Sequence, residues 1–180
     1  KTRYLLEERE QNLKGIPEIT AFLDKCSPSK ILDIGCGPGW LLSYLDNKWD
    51  KYGVEVSKLA SNYASKHGKI FNGTLEEYKE KDFNIIVMNH VIEHIKDPVK
   101  ILKKIKTMLK EDGVFIIGTP DFDSGAARRY GNKFRLLKLG KVKFNPSCLI
   151  GNRIWTHIGT SANTSRIKPR LYFTRLKTRN

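Results

Sequence analysis

The stretch from Ile31 to Trp40, ILDIGCGPGW, has three glycines at alternate positions directly behind an aspartate that lies in an apolar run. A strand that leads into a glycine-rich turn and then a helix brings bare backbone N–H groups against a ligand, because glycine lets another molecule approach the main chain closely. Such loops hold mononucleotides, dinucleotides and nucleoside-like cofactors. The candidate binding residues of this loop are Asp33, Gly35, Gly37 and Gly39.

Two phosphate-binding patterns do not match this loop. A P-loop needs Gly-Lys-Ser/Thr after a four-residue gap, whereas Trp40 and two leucines follow Gly39. The dinucleotide fingerprint needs glycine or alanine at position 40, where the chain has the bulky Trp40. A carboxylate such as Asp33 repels a pyrophosphate and suits a cationic ligand. We therefore expect a ligand that carries positive charge.

Two further segments contain residues with chemical potential. Glu55 ends the second apolar run, about twenty residues beyond the loop, where an acid can accept the ribose hydroxyls of a nucleoside. The segment NHVIEH contains His90, Glu93 and His94, and on a helix the spacing H-x-x-E-H puts two imidazoles on one face, as in a class of zinc proteases. Because the segment follows a predicted strand and no helix with a third ligand is evident, we predict no metal site.

Alternating apolar segments predict the elements that position these residues. The predicted strands are Lys30 to Ile34, Lys51 to Val56, Lys69 to Phe71, Phe83 to Asn89 and VFIIG at 114–118. Strands that alternate with helices predict an α/β fold with a doubly wound, mostly parallel sheet, and the ligand at the carboxyl ends of its strands.

One of the predicted helices is amphipathic. Asp97 and Pro98 are predicted to open it, and Asp112-Gly113 to end it. Its apolar face is predicted at Val99, Leu102, Ile105, Met108 and Leu109.

The ordered motifs resemble the class I S-adenosylmethionine-dependent methyltransferases. The pattern acid-x-Gly-x-Gly-x-Gly from Asp33 resembles motif I of that family, and Glu55 resembles motif II. Gly73 to Glu76 lies where family members bracket the adenine, and NHVIEH followed by Asp97-Pro98 is similar to the EH-x-x-DP segment of ubiquinone-pathway O-methyltransferase-like proteins and of the type 11, 12 and 23 methyltransferase domains.

The resemblance implies a Rossmann-like methyltransferase domain over residues 1–137, with S-adenosylmethionine as its cofactor. It also implies methyl transfer to a small-molecule or lipid-linked acceptor, which we expect at oxygen. The implied cofactor-binding residues are Asp33, Gly35, Gly37, Gly39, Glu55, Leu75 and Asn89. The implied catalytic residues are His90 and His94, each of which faces the reaction centre or braces the loop.

The charge is distributed unevenly along the chain. Of the 33 basic and 19 acidic residues that give a net charge of +14, residues 1–123 contain 19 basic and all the acidic ones. A basic segment of this kind can bind nucleic acid or an anionic membrane. The alternative function is therefore a non-catalytic Rossmann-like module with a basic tail, although the sparse aromatic residues predict no specific nucleic-acid binding and only weak membrane contact.

No structure is predicted for segment 138–180 as a whole. NRIWTHIGT and RLYFTRLKT could form the two strands of a closing antiparallel hairpin, but no clear helix precedes them. In DSGAARRYGNKFRLLKLG, apolar residues at helical spacing alternate with basic ones, which suits a helix that caps the pocket or lies on a membrane.

Composition limits the class of protein. The length of 180 residues and the hydrophobic content of 39% suit a single globular domain. Cys26, Cys36 and Cys148 are odd in number and far apart, which argues against a disulfide framework. The longest apolar runs are too short to cross a bilayer and no signal-like segment is evident. We therefore expect a cytoplasmic protein, whose oligomeric state and acceptor the sequence does not specify.

Overall fold

A computed structural model of the chain describes residues 8–13, 16–119 and 170–175. Its sheet has six strands in the order β3-β2-β1-β4-β5-β6. The strands are β1 (Lys30–Ile34), β2 (Asp50–Glu55), β3 (Lys69–Asn72), β4 (Phe83–Asn89), β5 (Leu109–Thr119) and β6 (Arg170–Arg175). The described helices are α1 (8–13), α2 (Pro17–Leu23), α3 (Trp40–Tyr44), α4 (Lys58–Ala64), the 3₁₀ helix η1 (Ile92–His94) and α5 (Pro98–Met108).

Strands β1 to β5 are all parallel, and β6 runs antiparallel to β5. The register aligns Asp33 of β1 with Gly53 of β2 on one side and with Val87 of β4 on the other. The predicted mostly parallel α/β sheet is confirmed. Because all five parallel strands point the same way, Ile34, Glu55 and Asn89 end at one edge of the sheet, where the glycine-rich loop begins.

Alternate residues of each central strand pack on opposite faces of the sheet. On one face, Ile86 and Met88 of β4 pack with Ile101, Ile105 and Met108 of α5. On the other face, Ile85 and Val87 pack with Ile19 and Leu23 of α2 and with Leu41 of α3. A smaller cluster of Cys36, Leu42 and Ala64 joins α3 to α4. The sheet is therefore covered on both faces, as a doubly wound fold requires.

Two helices begin at side-chain caps, of which the one at Asp97 is predicted from the sequence. Ser57 Oγ accepts from the Ala60 amide over 3.4 Å at the start of α4, and Asp97 Oδ1 accepts from the Lys100 amide over 3.0 Å at the start of α5. Each cap satisfies an N–H group that has no partner within its own helix.

Two details predicted for α5 are wrong. The buried stripe is Ile101, Ile105 and Met108, whereas Val99 is 47% exposed because it lies on the side of the helix away from that stripe. The helix ends at Met108, and not at Asp112-Gly113, because Leu109 already pairs with Phe83 in the extended conformation at the start of β5.

The basic carboxyl-terminal segment contributes β6, so one of the two strands predicted there is confirmed. The other, in NRIWTHIGT, and the predicted basic helix near residues 123–140 lie outside the described residues. The division of the chain at residue 137 and the proposed contacts of the tail with nucleic acid or membrane thus stay predictions. Cys26 and Cys36 are free thiols. No described helix is long and apolar enough to cross a membrane, and the cytoplasmic setting stays a prediction.

Candidate functional site

The loop between β1 and α3 needs glycine at three positions. Gly35, Gly37 and Gly39 have φ angles of 70°, 53° and 81°, in the left-handed region that other residues seldom adopt. A Cβ on Gly35 would lie 2.4 Å from the Val91 side chain, and one on Gly39 would lie 2.9 Å from the Ala64 backbone. At Gly37 a Cβ would meet no heavy atom within 4 Å, since this glycine faces open space. The loop thus packs tightly at both ends and is open at its middle.

The N–H groups of this loop are used inside the protein. Gly37 donates to Glu55 Oε2 over 2.9 Å, and Pro38 has no N–H to offer. The remaining bonds run from Gly35 and Cys36 to the Val54 carbonyl over 2.8 and 3.2 Å, and from Gly39 to the Cys36 carbonyl over 2.9 Å. A phosphate-binding loop needs unpaired N–H groups that point at the ligand. This loop has none between residues 35 and 39.

Glu55 is held rigidly at the end of β2. Its Oε1 accepts from the Ser57 amide over 2.7 Å, and its Oε2 accepts from Gly37. The Glu55 carbonyl in turn accepts from Asn72 Nδ2 over 2.9 Å and from the Gly73 amide over 3.1 Å. Each carboxylate oxygen has capacity for a further hydrogen bond. Glu55 therefore braces the glycine loop and still offers acceptors to a ligand.

Asp33 is a second carboxyl group beside the loop, and it is only 6% exposed. Burial, followed by the negative charge of Glu55, raises the pKa of Asp33 to about 7. Burial favours the neutral acid because the charged form loses hydration. A cation bound beside Asp33 would stabilise the charged form, so this position is suited to positive charge.

A cleft of about 410 Å³ opens over these residues at the carboxyl edge of the sheet. Five of the predicted site residues line it, namely Asp33, Gly35, Gly37, Asn89 and His90. The other predicted residues are not among those that line this cleft. Glu55 is connected to the cleft by its hydrogen bond with the amide of Gly37, and Gly39 is the N-cap residue of α3.

Leu75 and His94 are placed differently from the loop residues. The Leu75 side chain is buried in the core beside α5, so only its backbone is available to a ligand. The turn that contains Leu75 is fixed by Glu77, whose Oε2 accepts from the Thr74 amide and hydroxyl over 2.9 and 2.8 Å. His94 is exposed at the end of η1.

One wall of the cleft comes from the amino-terminal helices, where no site residue was predicted. Gln11 and Asn12 of α1 and Ile16 before α2 line the cleft. Arg9 fixes α1 in place, since its Nε donates to Ser43 Oγ over 2.7 Å. No motif marks these residues, and the only sequence signal for them is the helical character of the segment.

Two buried polar atoms on cleft residues have no hydrogen-bond partner within the described part of the chain. They are Trp40 Nε1, a donor, and Asn89 Oδ1, an acceptor. Buried polar groups are nearly always paired in native proteins. An unpaired donor and an unpaired acceptor on one cleft are the pattern expected where a ligand completes the hydrogen bonding.

His90 follows β4 in an unusual conformation. Its φ angle is 55°, and its amide donates to the Gly118 carbonyl of β5 over 2.8 Å, which holds the turn in place. The His90 side chain is 48% exposed and lines the cleft, with Nδ1 at 3.6 Å from Oε1 of the buried Glu93. Glu93 Oε2 has no hydrogen-bond partner among the described residues. A cleft-facing imidazole thus lies in front of a buried acid.

The chain is similar to known proteins in sequence and in fold. A model of the methyltransferase domain family matches residues 5–150. A protein of Methanocaldococcus jannaschii, itself of uncharacterised function, is 31% identical over 127 residues, which are 69% of this chain and 60% of the relative. The ubiquinone biosynthesis O-methyltransferase of Actinobacillus pleuropneumoniae is 27% identical over 106 residues, which are 50% of this chain and 45% of that enzyme. The chain thus spans only part of the length of these relatives.

Among solved structures, the crystal structure of a SAM-dependent methyltransferase of Thermotoga maritima, described as a possible histamine N-methyltransferase, is 26% identical and has a TM-score of 0.59. The match covers 79% of this chain and 72% of that chain.

Proposed function

The chain belongs to the methyltransferase domain family, and we propose that it transfers a methyl group from S-adenosylmethionine to an oxygen atom of a small-molecule acceptor. The observation that carries this proposal is the glycine loop itself. Its N–H groups are satisfied internally, and the carboxyl groups of Asp33 and Glu55 lie beside it. Such a loop offers acceptors and negative charge to a ligand, which suits a cationic cofactor and disfavours a dinucleotide.

The residues present fit S-adenosylmethionine. Glu55 would accept the ribose hydroxyls through the free capacity of its two oxygens, and Asp33 lies where the positive charge of the amino-acid end would be stabilised. Gly37 leaves open space at the middle of the loop. The unpaired Asn89 Oδ1 and Trp40 Nε1 offer one acceptor and one donor to the same ligand.

When bound, the cofactor supplies a methyl group on a sulfonium, which is already a good leaving group. The protein therefore has to align the acceptor and, where the acceptor is a hydroxyl of high pKa, to remove its proton. We assign the base to His90, which lines the cleft and has Glu93 behind its Nδ1. His94, which is not among the cleft residues, is the weaker candidate.

An oxygen acceptor is supported by two observations. An imidazole in the cleft is suited to proton removal from a hydroxyl. The Actinobacillus relative, which is 27% identical, is an O-methyltransferase. This supports an oxygen atom as the acceptor but does not identify the acceptor molecule.

Calorimetry with S-adenosylhomocysteine tests the cofactor assignment. We expect this product to bind the full chain, and NAD⁺ at the same concentration to show no heat of binding. Binding of NAD⁺, or no binding of S-adenosylhomocysteine, would reject the proposal. Replacement of Gly37 by valine is the matched variant, because its side chain would enter the open middle of the loop and should abolish the binding of S-adenosylhomocysteine.

A further inference from the structure

A second recess, of about 600 Å³, lies at the opposite edge of the sheet from the cleft. It is formed between the segment that precedes β4 and the last turns of α5, close to where β4 and β5 begin. None of its lining residues belongs to the glycine-loop cleft. Among the described residues, the recess is lined by Tyr78, Lys79, Lys81, Lys103, Lys104, Thr107 and Met108.

The recess has four lysines, and no acidic residue is among the described residues that line it. Lys104 Nζ donates to the Glu76 carbonyl over 2.6 Å. The ammonium groups of Lys79, Lys81 and Lys103 make no hydrogen bond or ion pair with any described residue, although the Lys81 carbonyl accepts from Lys30 Nζ over 2.6 Å. Three exposed lysines thus line one recess without an ion-pair partner in the described part of the protein.

Three acidic residues of the described chain are engaged with other groups. Glu80 forms an ion pair with Lys30, Asp50 with Lys69, and Glu77 accepts from Thr74. Glu76 and Asp82 lie beside recess residues in sequence, but neither carboxylate forms an ion pair with a lysine of the recess among the described residues. Like charges that converge on one recess repel each other unless an anion lies between them.

The floor of the recess is apolar but contains one unsatisfied hydroxyl. Met108 is 2% exposed and Tyr78 is 8% exposed. The hydroxyl of Tyr78 is buried and has no hydrogen-bond partner in the described part of the chain, although a buried tyrosine usually finds one. A ligand that accepts a hydrogen bond and carries an apolar group would match both features.

From these observations we propose that this recess binds the phosphate group of a small organic phosphate monoester. The dianion would be neutralised by Lys79, Lys81 and Lys103, while the organic group would lie against Tyr78 and Met108. The site is independent of methyl transfer, since it shares no residue with the cleft. It would give this protein a second small-molecule site at the far edge of the sheet.

Calorimetry on the full chain at 0.15 M salt, where diffuse attraction between exposed charges is largely screened, tests the proposal with phenyl phosphate and inorganic phosphate as probes. We expect both to bind, and the double variant Lys81→Ala/Lys103→Ala to weaken binding by about tenfold or more. The matched control is Lys58→Ala/Lys66→Ala, which removes the same charge from exposed lysines elsewhere and should change affinity by less than about twofold.

The two probes distinguish the source of the phosphate. Tighter binding of phenyl phosphate supports an organic ester, and equal binding of both supports a phosphate site that takes the free ion. Equal weakening by the two double variants, or no binding of either probe at this salt concentration, would overturn the site. If the protein bound RNA or anionic vesicles through Lys81 and Lys103 while neither phosphate probe bound, the phosphate site would likewise be rejected in favour of a macromolecular surface.

Discussion

The amide of Gly37 donates a hydrogen bond to Glu55 Oε2 over 2.9 Å, so the middle of the glycine loop is tied to the end of the neighbouring strand. The two residues are separated by 18 positions in sequence and are adjacent because β1 and β2 pair in parallel. This bond fixes the loop and also removes the N–H that a phosphate would need. The same contact therefore shapes the site and selects its ligand.

Replacing Glu55 with alanine should weaken the binding of S-adenosylhomocysteine by about 1 to 3 kcal/mol. The variant loses both the carboxylate that would accept the ribose hydroxyls and the hydrogen bond that holds the amide of Gly37. Glutamine should not restore affinity, since its NH2 group would replace one of the two oxygens that accept from Gly37 and Ser57 and would face an N–H donor. Calorimetry measures the effect, with Glu111→Ala as the control at an exposed position near the start of β5. Unchanged affinity in the alanine variant would show that Glu55 is not a ligand residue.

Asp33 should make the stability of the ligand-free protein depend on pH. Its pKa is raised from the usual 3.8 to about 7, first by burial and then by Glu55. Because the folded-state pKa is the higher one, the contribution of this group is complete below pH 3.8 and is lost as the pH rises through about 7.

The Asp33→Asn variant should therefore be about as stable as the parent near pH 4 and more stable by about 1 to 3 kcal/mol at pH 8. Its affinity for S-adenosylhomocysteine should nevertheless be lower, since the carboxylate is gone. Urea unfolding across this pH range gives the difference between the two proteins. Parallel pH profiles would contradict the assigned shift.

Alanine at Gly37 and at Gly39 should have different consequences. At Gly39 the φ angle is 81° and the new Cβ would lie 2.9 Å from the Ala64 backbone, so we expect a loss of at least about 2 kcal/mol of stability. At Gly37 the Cβ has open space, so only the backbone strain of about 1 kcal/mol applies.

Binding should show the reverse order, because Gly37 lines the cleft and Gly39 does not. Thermal unfolding and calorimetry with S-adenosylhomocysteine separate the two effects. If the Gly37 variant binds like the parent, the ligand does not contact the middle of the loop.

Replacing His90 with asparagine should preserve the fold, because asparagine tolerates a φ angle of 55° better than most residues. Methyl transfer to oxygen should fall by about 10²-fold, since the base is lost. The measurement uses radiolabelled S-adenosylmethionine with any phenol or catechol that the unmodified protein methylates. Affinity for S-adenosylhomocysteine should stay within about twofold. Unchanged turnover would remove His90 from the proposed mechanism.

The parts of the fold that could be predicted from sequence are those where burial dictates residue type. Strands β1 and β4 have the predicted ends, because both are central, buried on both faces and therefore mostly apolar, apart from Lys30 and Asp33 in β1 and the two asparagines of β4. The end of α5 was mistaken because Leu109 to Asp112 read equally well as a final helical turn. Leu109 is extended because it pairs with Phe83 across the sheet, and a local sequence pattern does not contain that information.

The candidate site divides in the same way. Asp33, Glu55 and the three glycines could be identified from the sequence, because the geometry of the loop restricts which residue types can occupy these positions. Gln11 and Asn12 could not be found, because α1 joins the cleft through a hydrogen bond between Arg9 and Ser43, which are 34 residues apart. The unpaired Trp40 nitrogen could not be found either, because hydrogen-bond pairing depends on the folded surroundings. Glu93 belongs to the H-x-x-E-H spacing of the sequence, and only the fold buries it and places it behind His90.

The antiparallel pairing of β6 with β5 has a consequence for synthesis of the chain. Thr119 of β5 pairs with Arg170, so β5 leaves the ribosome about fifty residues before its outer partner. Among the described strands only β6 covers the outer edge of β5, so until then the backbone from Phe115 to Ile117 is open to pairing with other nascent or truncated chains. Shortened forms that end before Arg170 should therefore aggregate rather than persist as smaller cofactor-binding domains, and co-translational folding of the sheet is complete only when β6 has been made.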